Sequence, residues 1–122
     1  MLVVDDDPDL RGLLAWRLGR AGFAVACEPD GERGLATALR TRPDIAVVDG
    51  SAPLLGGLEL CRRLRADPAT AGTKVLLVTS VEDRIPDARS AGADALVAKP
   101  FSTSDVVARV RSLAGDGQPD GA

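Results

Sequence analysis

Asp49 ends an apolar run, Ile45-Ala46-Val47-Val48, and a glycine-rich loop follows it. Asp5 and Asp6 stand in the same relation to Leu2-Val3-Val4, Thr79 to Lys74–Val78, and Lys99 to Ala95–Ala98. Carboxylates crowded together raise one another's pKa unless cations intervene. Lys99 offers one positive charge and a divalent ion two, which balances three acids. A set of oxygen donors that leaves part of the shell to other ligands favours Mg²⁺ over zinc or copper. The chain has no histidine, which excludes His-based general base catalysis, Ser/His triads and His metal ligation.

These residues can act together only if the chain carries them to one place. An apolar run without alternation suits a strand covered on both faces, as in a parallel sheet flanked by helices. Strands are expected at Leu2–Val4, Phe23–Cys27, Ile45–Val48, Lys74–Val78 and Ala95–Ala98. Between them fall helical patterns. The first carries Leu10, Leu13, Leu14 and Leu18 and ends near Gly19 to Gly22; the second is weakly apolar, marked by Leu35 and Leu39, and stops at Arg42-Pro43. The third buries Leu60, Cys61 and Leu64 and stops at Asp67-Pro68. A fourth is short because Pro86 cannot sit in a helix interior, so it runs from shortly before Pro86 to Ser90 or Ala91. The last starts at Ser102 or Ser104 and buries Val106, Val107, Val110 and Leu113.

Five strands alternating with five helices predict an α/β, doubly wound three-layer sandwich with a parallel sheet. In the flavodoxin-like order 2-1-3-4-5 the first and third strands are neighbours, and the acids, Thr79 and Lys99 converge above the carboxyl ends. Asp7 has a separate task. It precedes Pro8 at the first helical position, so its carboxylate suits the N-cap of the first helix. Trp16 lies about 120° from the apolar stripe at about 100° per residue, which puts its ring on the flank as helix cover or as a contact for a docking partner.

With 122 residues, 45% hydrophobic and 27% charged, the chain fits one folded domain. A net charge of -3 gives no basic footprint, and no direct nucleic-acid partner is expected. No apolar run reaches the roughly 20 residues of a membrane helix, and the acidic MLVVDDDP is unlike a secretory signal. A cytoplasmic location follows as the expectation. Cys27 and Cys61 lack metal or CxxC spacing and read as small buried apolar residues, unpaired in a reducing compartment. From Gly115 the sequence GDGQPDGA reads as flexible tail or the start of a linker.

The ordered set formed by Asp5-Asp6, Asp49 with Pro53 and Gly57 after it, Thr79, and Lys99-Pro100-Phe101 resembles the receiver domain of two-component response regulators, with chemotaxis-regulator-like fold, over residues 1–114. The resemblance implies a phosphoprotein of phosphorelay signalling rather than an ordinary enzyme, a domain that catalyses its own phosphotransfer and dephosphorylation. It casts Asp49 as phosphoacceptor for a group from a sensor histidine kinase or phosphotransfer protein. Mg²⁺ would be held by Asp6 directly, by Asp5 through water, by Asp49 and by the backbone carbonyl of Ser51. Lys99 and the metal would neutralise the phosphoryl oxygens, and Thr79 would give its hydroxyl to the phosphoryl group as the switch. Pro53 and Gly57 are structural positions of the pattern, and Pro100 follows a cis bond that aims Lys99. A downstream effector, or a second copy forming a homodimer, would dock on the last two helices and the fifth strand.

The chain departs from the pattern at Leu96, where the family usually has an aromatic, and at Gly50, Ser51 and Ala52, where bulkier apolar residues are usual. Hence an alternative is an interaction module with this fold that does not depend on phosphorylation. A flavodoxin-like cofactor site fits less well, since the first strand-helix turn lacks a Ser/Thr/Gly-rich phosphate cradle and aromatics are scarce.

Overall fold

A strand covered by helices on both sides must be apolar where it is covered, and β3 (Ile45–Asp49) is buried along its whole length, apolar from Ile45 to Val48 and ending on Asp49. The computed structural model describes residues 1–49, 56–79, 89–98 and 101–115, with Thr79 described in its backbone alone. Around β3 stand β1 (Leu2–Val4), β2 (Ala26–Glu28), β4 (Lys74–Thr79) and β5 (Ala95–Ala98). The helices are α1 (Pro8–Arg20), α2 (Gly31–Thr41), α3 (Gly57–Ala66) and α4 (Thr103–Ala114). All strand pairs are parallel and the order is β2-β1-β3-β4-β5, as expected.

Alternation along the strands divides the core in two. Leu2, Val4, Ala46, Val48, Val75 and Leu77 face α2 and α3, where Leu60, Cys61 and Leu64 complete one cluster. Val3, Ile45, Val47, Leu76, Val78 and Val97 face the other way, toward Leu14 and Leu18 of α1 and Val106 and Val110 of α4. Each fully buried leucine contributes about 2 kcal/mol by removal from water. Val107 and Leu113 pack at the border of that cluster.

The helix starts follow local chemistry. Asp7 caps α1, accepting from the N–H groups of Asp9 and Leu10, and Pro8 opens the helix. Asp30 caps α2 through the N–H of Arg33. Ser102 caps α4, and Asp105 returns the bond to the N–H of Ser102 in a capping box.

Four expectations change. Leu13 is 47% exposed, because Leu10, Leu14 and Leu18 repeat at i+4 and set the buried line, leaving Leu13 about 100° from its centre. Leu39 is also exposed; α2 turns its small residues Gly34 and Ala38, with Thr37, to the interior. β2 begins at Ala26 rather than Phe23, since the N–H of Phe23 closes α1 on the carbonyl of Leu18 and the strand register with β1 begins at Leu2 opposite Ala26. Cys61 is buried, but Cys27 on this edge strand is only half-buried. Both thiols are free, and burial raises the pKa of each. Of the short fourth helix expected around Pro86, Arg89 and Ser90 are helical and turn at Gly92, while 80–88 lie outside the described residues.

Candidate functional site

The β1·β3 register pairs Val4 with Val48, so the next residue of each strand path, Asp5 and Asp49, comes out at the same level. Asp6 follows on the turn toward α1. Asp5, Asp6 and Asp49 each offer a carboxylate oxygen, and these oxygens lie within 4.8 Å of one another. Asp5 and Asp49 are buried, each 3% exposed, and Asp6 is exposed. The group is therefore a recess with two acids in its floor and one at its solvent side.

The turn that carries the pair is fixed from three directions. The N–H of Asp5 donates to the carbonyl of Glu28 at 3.2 Å, and the N–H of Asp7 donates to Asp5 Oδ1 at 2.9 Å. Arg11, one turn into α1, donates from Nη1 to the carbonyl of Asp5 at 2.9 Å. Thus Asp7 has a double role: its side chain caps α1 while its backbone holds a carboxylate of the recess. Only the first was expected.

The donor set suits a small hard cation. Ligands at 2.0–2.1 Å around octahedral Mg²⁺ stand about 3 Å apart when adjacent and about 4.2 Å when opposite, and the three oxygens, within 4.8 Å of one another, are near enough to serve one ion directly or through its water. With no sulfur or imidazole in the group, nothing in it favours zinc or copper over magnesium.

On the other side of β3, Asp49 pairs with Val78, and Thr79 pairs with Ala98. The backbone of Thr79 therefore ends β4 next to the strand that carries Asp49. The side chain of Thr79, the loop residues Ser51 and Pro53, and Lys99 with Pro100 lie outside the described residues. Gly57 is the buried first residue of α3, capped by Gly56. Leu96 is half-buried and packs against the cluster shared with α3.

Sequence spacing did not single out Arg65. At the end of α3, its guanidinium donates from Nε to the carbonyl of Gly92 at 3.0 Å, from Nη1 to those of Ala71 and Thr73, and from Nη2 to Asp94. Its partners are mostly backbone carbonyls from two separate turns, and no residue pattern marks such acceptors. The one available signal was Gly92, whose φ of +96° calls for glycine and whose Cβ would meet Arg65 Cγ at 2.8 Å.

Fold, strand order and an acidic recess at the carboxyl ends define a class before any comparison is made. The profile of the response regulator receiver domain matches residues 1–111, and the chain belongs to that family, the receivers of two-component signalling. It is 38% identical over 116 residues to the DNA-binding dual master transcriptional regulator RpaA of Synechocystis, covering 93% of this chain and 48% of that protein. With the probable transcriptional regulatory protein TcrX of Mycobacterium tuberculosis the identity is 40%, with the same coverage. A crystal structure of a putative response regulator from Chloroflexus aurantiacus superposes with a TM-score of 0.86 at 32% identity, covering 92% of this chain and 93% of that one. The chain thus spans about half the length of the curated relatives it matches.

Proposed function

We propose that this receiver domain accepts a phosphoryl group on Asp49 from a sensor histidine kinase or phosphotransfer protein in a Mg²⁺-dependent reaction, and signals by a change of shape. The observation that carries this reading is the recess itself, with Asp49 buried at the end of the central strand and two further acids within 4.8 Å.

Asp49 is the nucleophile. A carboxylate oxygen attacks phosphorus, an O–P bond forms as the donor's N–P bond breaks, and the departing imidazole nitrogen takes up a proton. Asp5, Asp6, Asp49 and the carbonyl of Ser51 would hold Mg²⁺, which when bound supplies positive charge for the phosphoryl oxygens. The bonds from Arg11 and from the N–H of Asp7 keep the Asp5 turn in place, so the acids are positioned before the donor arrives. Lys99 is assigned the remaining countercharge and Thr79 the hydroxyl that follows the phosphoryl group. Pro53 and Gly57 shape the loop after the acceptor, and Pro100 sets the direction of Lys99.

This is a signalling acceptor that catalyses its own phosphorylation and dephosphorylation. Residues 1–114 form the receiver, and 115–122 are assigned as tail or linker. The proposed setting is the cytoplasm; no helix among the described residues is long and apolar enough to cross a membrane. RpaA is named as DNA-binding. Because the match covers only half of that protein, we assign no DNA contact to this chain and place the output on a downstream effector or a second copy, docked at β5 and the last two helices. The test is incubation with Mg²⁺ and acetyl phosphate, followed by mass spectrometry for a hydroxylamine-labile adduct. No adduct, or one that survives Asp49→Asn, overturns the reading.

A second reading rests on Leu96, which already packs against the inner cluster in the place of the family's usual aromatic. It is an interaction module whose surface does not respond to phosphorylation. Amide exchange around Leu96 with and without beryllofluoride separates the two, an unchanged pattern favouring the second.

A further inference from the structure

At the base of the sheet, opposite the acidic recess, Asp94 holds Val75 from both sides. The N–H of Asp94 donates to the carbonyl of Val75 at 2.9 Å, and the N–H of Val75 donates to Asp94 Oδ2 at 2.7 Å. A side-chain carboxylate thus takes the place of a ladder carbonyl at the first step of the β4·β5 pairing. The same oxygen accepts from Arg65, whose remaining donors grip Gly92 before β5 and Ala71 and Thr73 before β4. Thr73 is tied onward, its hydroxyl donating to the carbonyl of Pro43 at 2.7 Å ahead of β3, and the N–H of Lys74 donates to the carbonyl of Asp44. The starts of β3, β4 and β5 are therefore fastened together at one end.

Register is what such a fastening sets. In a parallel pair a slip of one residue sends every side chain to the opposite face. β5 has only four residues, Ala95–Ala98, and its half-buried side chains Ala95 and Leu96 give it weaker packing constraints than β3. With Asp94 fixed on Val75, Ala95 stands by Leu76 and Ala98 by Thr79, so β5 ends at Ala98 level with the end of β4.

We propose that Asp94 and Arg65 are positioning residues for the phosphotransfer reaction, setting the register of β5 so that the strand ends carrying Thr79 and Lys99 come out together. The proposal rests on the phosphoacceptor reading above. It also separates two parts of the site, because Asp5 and Asp6 follow β1, Asp49 ends β3, and none of them depends on the β4·β5 pairing.

The experiment compares wild type with Asp94→Ala, Asp94→Asn and Arg65→Gln in three measurements. These are the initial rate of phosphorylation by acetyl phosphate, the Mg²⁺ affinity by calorimetry without phosphodonor, and the unfolding midpoint. In Asp94→Ala the rate is expected to fall tenfold or more, at a temperature where the variant is fully folded, while Mg²⁺ affinity stays within twofold of wild type. Asp94→Asn keeps an acceptor for the N–H of Val75, so it recovers most of the rate and serves as the folded comparison where Asp94→Ala does not fold. A rate within twofold of wild type in folded Asp94→Ala and Arg65→Gln overturns the proposal. So does a parallel loss of rate and Mg²⁺ affinity, which marks a general structural role. Where Asp94→Ala is unfolded, a slowed Arg65→Gln beside a normal Asp94→Asn supports it, and normal rates in both overturn it. If wild type itself takes no phosphoryl group, it is the phosphoacceptor reading that fails, and the register is then read directly from amide contacts between Thr79 and Ala98.

Discussion

Gly34 of α2 lies so close to Val4 of β1 that a Cβ at residue 34 would stand 2.7 Å from Val4 Cγ2. No real side chain tolerates that distance, and Val4 is fully buried with a stiff β-branched side chain. The contact brings α2 onto the strand that leads directly into Asp5.

Gly34→Ala should therefore destabilise the fold despite the better helix propensity of alanine. Overpacking costs about 1–3 kcal/mol and the propensity gain is about 1 kcal/mol. A net loss of about 1 kcal/mol is expected in urea unfolding. Pairing it with Val4→Ala should give a loss smaller than the sum of the two single losses, because the crowded methyl is gone. Strict additivity would show that the clash is relieved by movement of α2 instead.

Asp6 and Asp7 are neighbours with opposite expected phenotypes. Asp6→Asn, at an exposed position, should leave stability within about 0.5 kcal/mol while weakening Mg²⁺ binding tenfold or more. Asp7→Ala removes the α1 cap and should cost about 1 kcal/mol, yet keep Mg²⁺ binding, since the bond to Asp5 comes from its backbone. Calorimetry with Mg²⁺ and thermal melts check both. Saturation at a hundred times the dissociation constant should stabilise wild type by about 2.7 kcal/mol, with a much smaller gain in Asp6→Asn.

Burial raises the pKa of the Cys61 thiol. The native state therefore holds its proton more tightly than the unfolded chain, and this contribution to stability is complete below the ordinary thiol pKa and is lost as pH rises through the native value. Stability should fall on the alkaline side, and Cys61→Ala should flatten that part of the profile. In native protein near neutral pH, a thiol reagent should label half-buried Cys27 well before Cys61. Equal labelling rates would contradict the burial described for α3.

Trp16 is 58% exposed on α1, with the Arg20 guanidinium 5.2 Å from its ring centroid and Leu13 also exposed on the helix. Trp16→Ala should cost less than about 1 kcal/mol of stability, as the ring keeps most of its surface in water. It should slow phosphotransfer from a protein donor and leave transfer from acetyl phosphate unchanged. Equal effects on both donors would remove α1 as a docking face.

Sequence patterning foretold the sheet order and the meeting of Asp5, Asp6 and Asp49 because both follow from one rule: buried parallel strands deliver what comes next to a common edge. The cap at Asp7 and the stripe at Leu14 and Leu18 were legible for equally local reasons. Leu13 and Leu39 misled, since an apolar residue near the stripe looks buried until the real line of contact is known, and at α2 that line is drawn by Gly34. Arg65 and Asp94 were invisible for a different reason. Apart from each other, their partners are backbone groups, and backbone groups have no letters.

The trio at the recess has one more consequence. Asp5 and Asp49 become neighbours only through the pairing of β1 with β3, so the carboxylates share a cation only after the central strands have assembled. On the phosphoacceptor reading, a partly assembled chain is deaf to its donor. The recess then works as an inspection of the molecule's own workmanship, admitting a message only where there is a finished machine to carry it.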